Sequence, residues 1–240
     1  MTRWLGLLLL QLCGCGLDDR RVDVRHCIMA PDSGVVATFS TARLGRCDDK
    51  ICPDAFAGTQ IVALGPGDVA GRVVPLHASP NATLALGLRG DLSLERDDTD
   101  ALRVALQLDT LAVSDAGALS AGFALELTDC IAIGGSTSLS FNAEGTLGDC
   151  PLRAALRFAD ATREGADCTR DPVSGVPTCA PTTTASVDVS PGVNTLSLPH
   201  DRGDRANTGL GGVEWEATLA VDPPRRCDLV FTIDDIRIDP

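Results

Sequence analysis

Residues 213–221, with the sequence VEWEATLAV, carry the pattern that decides the fold. Apolar residues alternate with mostly polar ones, so Trp215 and Leu219 fall on one face of an extended chain. Residues 123–128 and 152–158 repeat this period of two. The period is typical of strands in a sheet with one dry face and one solvated face. We therefore predict strands, and not helices, for these stretches.

Turn-forming residues separate the predicted strands. Gly90-Asp91 predicts a tight hairpin after the strand at residues 84–88, with residues 92–94 as its partner. Gly134-Gly135 predicts a second hairpin in the same way, ahead of the strand near Leu139.

In two regions the sequence pattern does not follow a simple regular strand. Residues 101–111 would suit a helix capped by the aspartates before them, but the alternation of Leu102, Val104 and Leu106 favours a strand. Near the end of the chain the apolar positions change parity at Asp234-Asp235, which predicts a bulge or a bend.

The number and spacing of these segments define the fold class. About a dozen strands with short connections and no helical crossovers predict an all-β fold, an antiparallel β-sandwich stapled by disulfides. A jelly roll is one arrangement that fits. We expect a single domain over residues 22–240, with a proline- and threonine-rich loop insertion over residues 168–184.

Composition excludes several classes of protein. The 240 residues include 20 Lys and Arg against 33 Asp and Glu, a net charge of −13. A nucleic-acid-binding surface needs clustered basic residues, so no nucleic-acid partner is expected. At 44% hydrophobic residues the chain is too apolar to be disordered.

The N-terminus has the features of an export signal. A basic Arg3 precedes an apolar run over residues 4–12, which is too short to span a bilayer but typical of a secretory signal peptide. The run ends in Leu12-Cys13-Gly14-Cys15, which resembles the lipobox of bacterial lipoproteins, with Cys13 where Ala or Ser is usual.

The resemblance to bacterial lipoproteins implies a membrane anchor. Cleavage before Cys15 would make residues 1–14 the signal peptide and residues 15–21 a lipidated tether. The resemblance also implies a diacylglyceryl group on the Cys15 sulfur and an acylated amino terminus, and two or more acyl chains give stable attachment. Gly16 in the next position is typical of lipoproteins sorted to the outer membrane. We therefore expect an exported protein anchored there.

Eight further cysteines form an even set, which in an exported chain favours disulfides. Spacing, strand order and elimination predict four bonds: Cys47–Cys52, Cys130–Cys150, Cys168–Cys179 and Cys27–Cys227. The alternative for Cys27 is a bond to Cys47 or Cys52. A zinc site made of His26, Cys27, Cys47 and Cys52 is disfavoured, because the chain has no Cys-x-x-Cys spacing there.

The search for catalytic residues gives none. The three histidines are His26, His77 and His200, and no Gly-x-Ser-x-Gly elbow accompanies them. The nearest string, residues 134–138, lacks the final glycine. We predict that the protein is not an enzyme and needs no cofactor.

Ligand-binding candidates are equally sparse. Asp97, Asp98 and Asp100 are the calcium candidates, since calcium takes six to eight oxygen ligands, often from loop aspartates. They lack the glycine and distal glutamate of an EF-hand, so turn residues are the preferred interpretation and no metal is predicted. With no Tyr and two Trp, little aromatic surface is available for stacking on a sugar.

These observations lead to one main functional hypothesis and two alternatives. We expect an outer-membrane-anchored, non-catalytic module that binds an unknown protein or small molecule or has a structural accessory role. The first alternative is a carrier that holds a small apolar ligand or lipid between the sheets. The second is an exported hydrolase.

Overall fold

The structure is a computed structural model that describes residues 27–47, 56–89, 101–111, 117–133, 136–148, 150–160, 168–170, 177–179, 183–198 and 208–239. The chain in these ranges forms sixteen strands: β1 Ile28–Met29, β2 Val35–Ala37, β3 Arg43–Arg46, β4 Gln60–Ala63, β5 Gly71–Ala78, β6 Ala82–Leu88, β7 Leu102–Asp109, β8 Ala118–Ala132, β9 Ser138–Thr146, β10 Leu152–Asp160, β11 Cys168–Arg170, β12 Pro177–Cys179, β13 Thr183–Asp188, β14 Gly192–Ser197, β15 Thr208–Ala220 and β16 Arg226–Asp239. No helix within these ranges has the length and apolarity needed to cross a membrane.

Two sheets contain fourteen of these strands. The larger sheet has the order β13-β10-β15-β8-β5-β4-β3, with β1 added beside β8. The smaller sheet has the order β14-β9-β16-β7-β6, with β2 added beside β16. Strands pair antiparallel except β1 with β8. The predicted antiparallel β-sandwich is confirmed.

The space between the sheets is filled by aromatic and aliphatic side chains. Trp215 on β15 stacks on Phe123 of the neighbouring β8, with ring centroids 5.2 Å apart. From the opposite sheet, Phe141 meets Trp215 edge-on at 5.5 Å, and Phe231 lies 6.4 Å from Phe123. These four side chains are buried, so the centre of the sandwich is packed and not hollow.

The predicted strand faces agree with the observed burial. Along β7, Leu102, Val104 and Leu106 are buried while the residues between them are partly exposed, so this segment is a strand and not a helix. The predicted irregularity at Asp234-Asp235 is also confirmed. The register between β16 and β9 shifts there, and Asp235 has a positive φ of 52°.

The two predicted hairpins have different outcomes. β6 pairs with β7, with Leu88 opposite Leu102, while residues 92–94 lie outside the described part. The hairpin predicted at Gly134-Gly135 is wrong, because β8 lies in the larger sheet and β9 in the smaller one. Periodicity reports which face of a strand is buried and says nothing about which sheet it joins.

The first observed disulfide joins Cys27 to Cys130, so the predicted Cys27–Cys227 bond is wrong. β1 runs parallel to the end of β8 with Ile28 opposite Ile131, which places the two cysteines side by side, with Cα atoms 4.4 Å apart. The bond lies against Gly209 of β15, where a β-carbon would come within 2.8 Å of the Cys130 β-carbon. A side chain at this position would clash with the disulfide.

The second observed disulfide joins Cys150 to Cys227, so the predicted Cys130–Cys150 bond is also wrong. β8 and β10 both pair antiparallel with β15 and therefore run in the same direction. Cys130 near the end of β8 and Cys150 just before β10 consequently lie at opposite ends of the larger sheet. Cys150 instead meets Cys227 of the smaller sheet, with a Cα–Cα distance of 5.9 Å.

The predicted Cys47–Cys52 bond lies partly outside the described residues. Cys47 is buried in a small cluster with Phe56, Ile61 and Val74, and it is disulfide-bonded. The bond that was predicted for it, to Cys52, involves a residue outside the described part and stays a prediction.

The predicted loop insertion at residues 168–184 contains regular structure. β11 and β12 pair antiparallel with each other, and Cys168 lies opposite Cys179 in the register. This backbone arrangement is compatible with the predicted Cys168–Cys179 bond, which stays a prediction because these side chains lie outside the described part.

Candidate functional site

Of the three histidines, His77 lies within the described part, on β5. Its Nε2 atom is 3.1 Å from the Ser120 hydroxyl and 3.2 Å from a Glu216 carboxylate oxygen. The imidazole also lies over Gly122, where a β-carbon would come within 2.8 Å of the ring. His26 and His200 lie outside the described residues.

This Ser-His-Glu group lacks the geometry of a catalytic triad. In a triad the serine contacts one ring nitrogen and the acid orients the ring through the other. Here Ser120 and Glu216 both face Nε2 of His77, and one nitrogen cannot accept the serine proton while it donates to the carboxylate. The His77 and Glu216 side chains are also about half exposed. The group is a surface cluster of polar contacts.

The predicted calcium candidates cannot be compared with the geometry, because Asp97, Asp98 and Asp100 lie outside the described part. Among the residues that are described, no group of three or more His, Cys, Asp or Glu side chains is arranged to hold a metal ion.

The outer face of the larger sheet carries a continuous line of ion pairs. Glu126 on β8 lies 3.3 Å from Arg72 on β5 and 3.3 Å from Arg157 on β10, and Arg157 is also 3.8 Å from Glu214 on β15. Each charge in this line has an opposite partner, so the line offers no unbalanced charge to a ligand. Such partly exposed pairs contribute little to stability.

Aromatic side chains do not provide a stacking surface in the described part. Six are buried, namely Phe39, Phe56, Phe123, Phe141, Trp215 and Phe231. Phe158 packs against the core and is partly buried. Trp4 is the remaining aromatic residue of the chain and lies outside the described part.

The outer face of the smaller sheet has a surface depression of about 280 Å³, which we call the arginine depression. It is lined by Arg89, Arg103, Glu144, Gly145, Val230, Phe231 and Thr232. The strand register places Gly87, Arg103, Thr232 and Glu144 side by side across β6, β7, β16 and β9. Gly87 leaves open space beside Arg103, since a β-carbon there would have nothing within 4 Å.

The charges in the arginine depression are not balanced. Arg89 pairs with Glu144 at 3.8 Å. Arg103, half-buried near the start of β7, has neither an ion pair nor a side-chain hydrogen bond with any residue in the described part. Its guanidinium has five N–H donors. Since no side chain of the described residues accepts from them, these donors can bond to water or to a ligand. The site can therefore hold an anionic group.

A second depression, of about 190 Å³, lies between β6, the edge strand of the smaller sheet, and β4 and β5 of the larger sheet. Thr59, Gln60, Pro75, Leu84, Ala85 and Leu86 line it, and none of them is charged. Both depressions are open to solvent, and the aromatic cluster fills the space between the sheets. Within the described part, neither depression is the enclosed apolar cavity that a lipid carrier requires.

Asp234 lies on β16, two residues beyond Thr232 of the arginine depression. Burial raises the pKa of Asp234, and the negative charges of Asp235, Asp68 and Glu144 raise it further. The backbone N–H of Asp235 donates to Asp234 Oδ1 at 2.7 Å and opposes this shift. The ionised side chain is therefore less favourable in the folded protein than in the unfolded chain.

We expect Asp234→Asn to raise the Tm at neutral pH. A pKa that is higher in the folded state means that ionised Asp234 opposes folding above that pKa, and the penalty disappears as pH falls below the unfolded value near 3.8. The gain should stay below about 1 kcal/mol, since the side chain is only partly buried and solvent screens it. Thermal melts of both proteins at neutral and at acidic pH measure it.

Asp228→Asn is the matched control on the same strand. A hydrogen bond from Gln107 lowers the pKa of Asp228, so loss of its charge should lower the Tm at neutral pH. An Asp234→Asn gain that is the same at neutral and acidic pH would contradict the electrostatic explanation.

Comparisons with known proteins give structural similarity only. No family model matches the chain, and neither does any curated protein. A carbohydrate-binding module described for specific mannan recognition aligns with 69% of this chain and 86% of its own, at 8% identity and a TM-score of 0.36. The family 11 carbohydrate-binding module of a cellulosomal cellulase from Clostridium thermocellum aligns with 70% of this chain and 86% of its own, at 10% identity and a TM-score of 0.37. A carbohydrate-binding module specific for non-crystalline cellulose aligns with 65% of this chain and 81% of its own, at 13% identity and a TM-score of 0.36. These values are too low to support any conclusion about a ligand.

Sequence reasoning did not identify the arginine depression. Arg103 is the one charged residue between Ala101 and Gln107, at an outward-facing position of an otherwise apolar strand, and this was the available signal. Glu144 follows Arg103 by more than forty positions in the sequence, and Thr232 follows it by more than a hundred. The periodicity of a single strand does not connect residues so far apart.

Proposed function

We propose that this protein is an exported, non-catalytic binding module, attached to the outer membrane through lipid on Cys15, with the arginine depression as its binding surface. The observation that carries the binding role is the guanidinium of Arg103, which has no ion pair with a described residue and lies in a depression of about 280 Å³. A charge that makes no structural contact with the described residues contributes nothing evident to the fold. Binding of an anionic ligand would give the Arg103 guanidinium a function.

Two features support the export part of the proposal. Disulfides form and persist in oxidising compartments, and the chain carries bonds at Cys27–Cys130 and Cys150–Cys227. The lipobox-like segment at residues 12–15 precedes them in the sequence. Both features agree with passage of the protein across the inner membrane.

The carrier and the hydrolase are less well supported. A carrier needs an apolar cavity, while the four packed aromatic rings occupy the centre of the sandwich. A hydrolase of the serine type needs a histidine oriented by an acid through its second nitrogen, and His77 lacks this arrangement. Neither role has a geometric feature in the described part that favours it.

Cys15→Ser is expected to remove the protein from the membrane fraction. The lipid bonds to the sulfur, and without it the attachment free energy of about 0.8 kcal/mol per buried methylene is lost. Fractionation of cells that express the full chain, with labelled fatty acid to detect acylation, measures the change. Cys13→Ser is the matched control and should leave both the label and the membrane association intact. The opposite result, label lost from Cys13→Ser and kept by Cys15→Ser, would move the anchor to Cys13.

A further inference from the structure

We infer that the arginine depression binds a small ligand with one carboxylate and several hydroxyl groups, such as a hydroxy acid or a sugar acid, and that the carboxylate pairs with Arg103. This inference rests on the proposed function, which names the depression as the binding surface. It adds the chemical class of the ligand, for which four properties of the depression give the argument.

The first property is the charge of the depression. Arg103 contributes one positive charge without an opposing carboxylate in the described part, while Arg89 is paired with Glu144. A ligand with one negative charge balances this excess. A second negative charge would face the Glu144 carboxylate and the field of a chain with a net charge of −13. A monoanion therefore fits better than a phosphate monoester, which carries nearly two charges.

The second property is the geometry of the guanidinium. Its planar fork donates two parallel N–H bonds, which match the two oxygens of a carboxylate. Arg103 is positioned by β-pairing on both sides, to Gly87 on β6 and to Thr232 on β16. The absence of a side chain at Gly87 leaves the space beside the guanidinium open.

The third property is the set of polar atoms around Arg103. Glu144 has a side chain that is 60% exposed and accepts a bond from Asn142 at one oxygen only. The Thr232 hydroxyl makes a long bond of 3.4 Å to the Glu144 carbonyl. Glu144 can accept from a ligand hydroxyl, and Thr232 can donate or accept. These atoms favour a hydroxylated ligand over a plain fatty acid.

The fourth property is size together with apolar contact. The volume of about 280 Å³ lies just below the range for small-molecule sites, roughly 300–1,000 Å³. Val230, which is 45% exposed, adds an apolar wall for the C–H groups of a ligand. The depression thus fits a small molecule or one terminal unit of a chain, and not an extended polymer segment.

The test measures binding of four probes to the detergent-solubilised full protein by calorimetry or NMR titration. Glucuronate combines one carboxylate with hydroxyl groups, glucose has the hydroxyl groups alone, acetate has the carboxylate alone, and inorganic phosphate carries the higher charge. We expect glucuronate to bind more tightly than the other three. Arg103→Gln should weaken glucuronate binding by about 10- to 100-fold, the effect of losing hydrogen bonds to a charged group.

Arg43→Gln is the matched control. Arg43 is an exposed arginine on β3 of the other sheet and makes no ion pair or side-chain hydrogen bond in the described part, so its variant should bind glucuronate as the wild type does. Thr232→Val tests the hydroxyl contact separately and should weaken glucuronate binding while acetate binding stays unchanged. Thermal melts establish that each variant is folded. If Arg103→Gln does not fold, the result for Thr232→Val still tests the site.

The outcomes separate the ligand class from the proposed function. If phosphate binds more tightly than glucuronate and its binding depends on Arg103, the ligand class is wrong and the binding surface stands. If glucose and glucuronate bind equally, or Arg103→Gln changes nothing, the role of Arg103 is rejected. If none of the probes binds, both the ligand class and the depression as a binding surface are rejected, while the Cys15 anchor is unaffected.

Discussion

Trp215→Ala is expected to lower the free energy of unfolding by about 3–5 kcal/mol, the range for removal of a large aromatic side chain from a core. Trp215 is fully buried and contacts Phe123 in its own sheet and Phe141 in the opposite one. Its removal would leave a cavity at the point where the sheets meet. Domains are stable by only about 5–15 kcal/mol, so the variant would lose a large part of the total.

Urea unfolding followed by circular dichroism measures this loss, and Trp215→Phe is the matched control. Phenylalanine keeps a ring against Phe123 and removes the indole N–H, which is buried and has no hydrogen-bond acceptor among the described residues. An unsatisfied buried donor costs about 1–3 kcal/mol, so its removal offsets part of the lost packing. We expect Trp215→Phe to lose much less stability than Trp215→Ala. Equal losses would show that packing of the ring is not what stabilises this position.

Removal of the Cys150–Cys227 bond is the second large effect that we expect. The bond joins residues separated by 77 positions and connects the larger sheet to the smaller one. On the chain-entropy model a loop of this length stabilises by about 4.5 kcal/mol, and native disulfides typically contribute 2–5 kcal/mol. The double variant Cys150→Ala with Cys227→Ala should therefore unfold at a much lower urea concentration.

Two further measurements test whether the Cys150–Cys227 bond causes this loss of stability. Non-reducing peptide mapping should find a peptide that joins Cys150 to Cys227, and a peptide that joins Cys150 to Cys130 would contradict the structure. The double variant Cys150→Ser with Cys227→Ser lacks the same bond but places a polar hydroxyl group at each of the two positions. Both sulfurs are buried, so the serine variant should lose more stability than the alanine variant.

The strands could be predicted because burial leaves a local record in the sequence. The alternation at Trp215 and Leu219 follows directly from which face is dry, and so does the change of parity at Asp234-Asp235. The partners of the strands could not be predicted. Parallel pairing of β1 with β8 joins residues about a hundred positions apart, and nothing local to Cys27 indicates it.

The candidate site was beyond sequence reasoning for a related reason. Arg103, Thr232 and Glu144 become neighbours only once β7, β16 and β9 lie in that order. Each residue by itself is an ordinary outward-facing side chain of a half-buried strand. That no described side chain pairs with Arg103 is a property of the assembled sheet, so it can be observed only in three dimensions.

The bond between Cys27 and Cys130 has a mechanical consequence for an anchored protein. The stretch from Cys15 to Cys27 can span at most about 40 Å when fully extended. If Cys15 carries the proposed lipid, tension on that lipid would therefore reach the disulfide across this short distance. The covalent bond passes the load to β8, which β5 and β15 hold on both sides. Strands β1 to β7 lie inside the closed loop of chain and bear little of this force. Tension from the membrane would therefore enter the domain at the middle of its larger sheet and would not peel away its first strands.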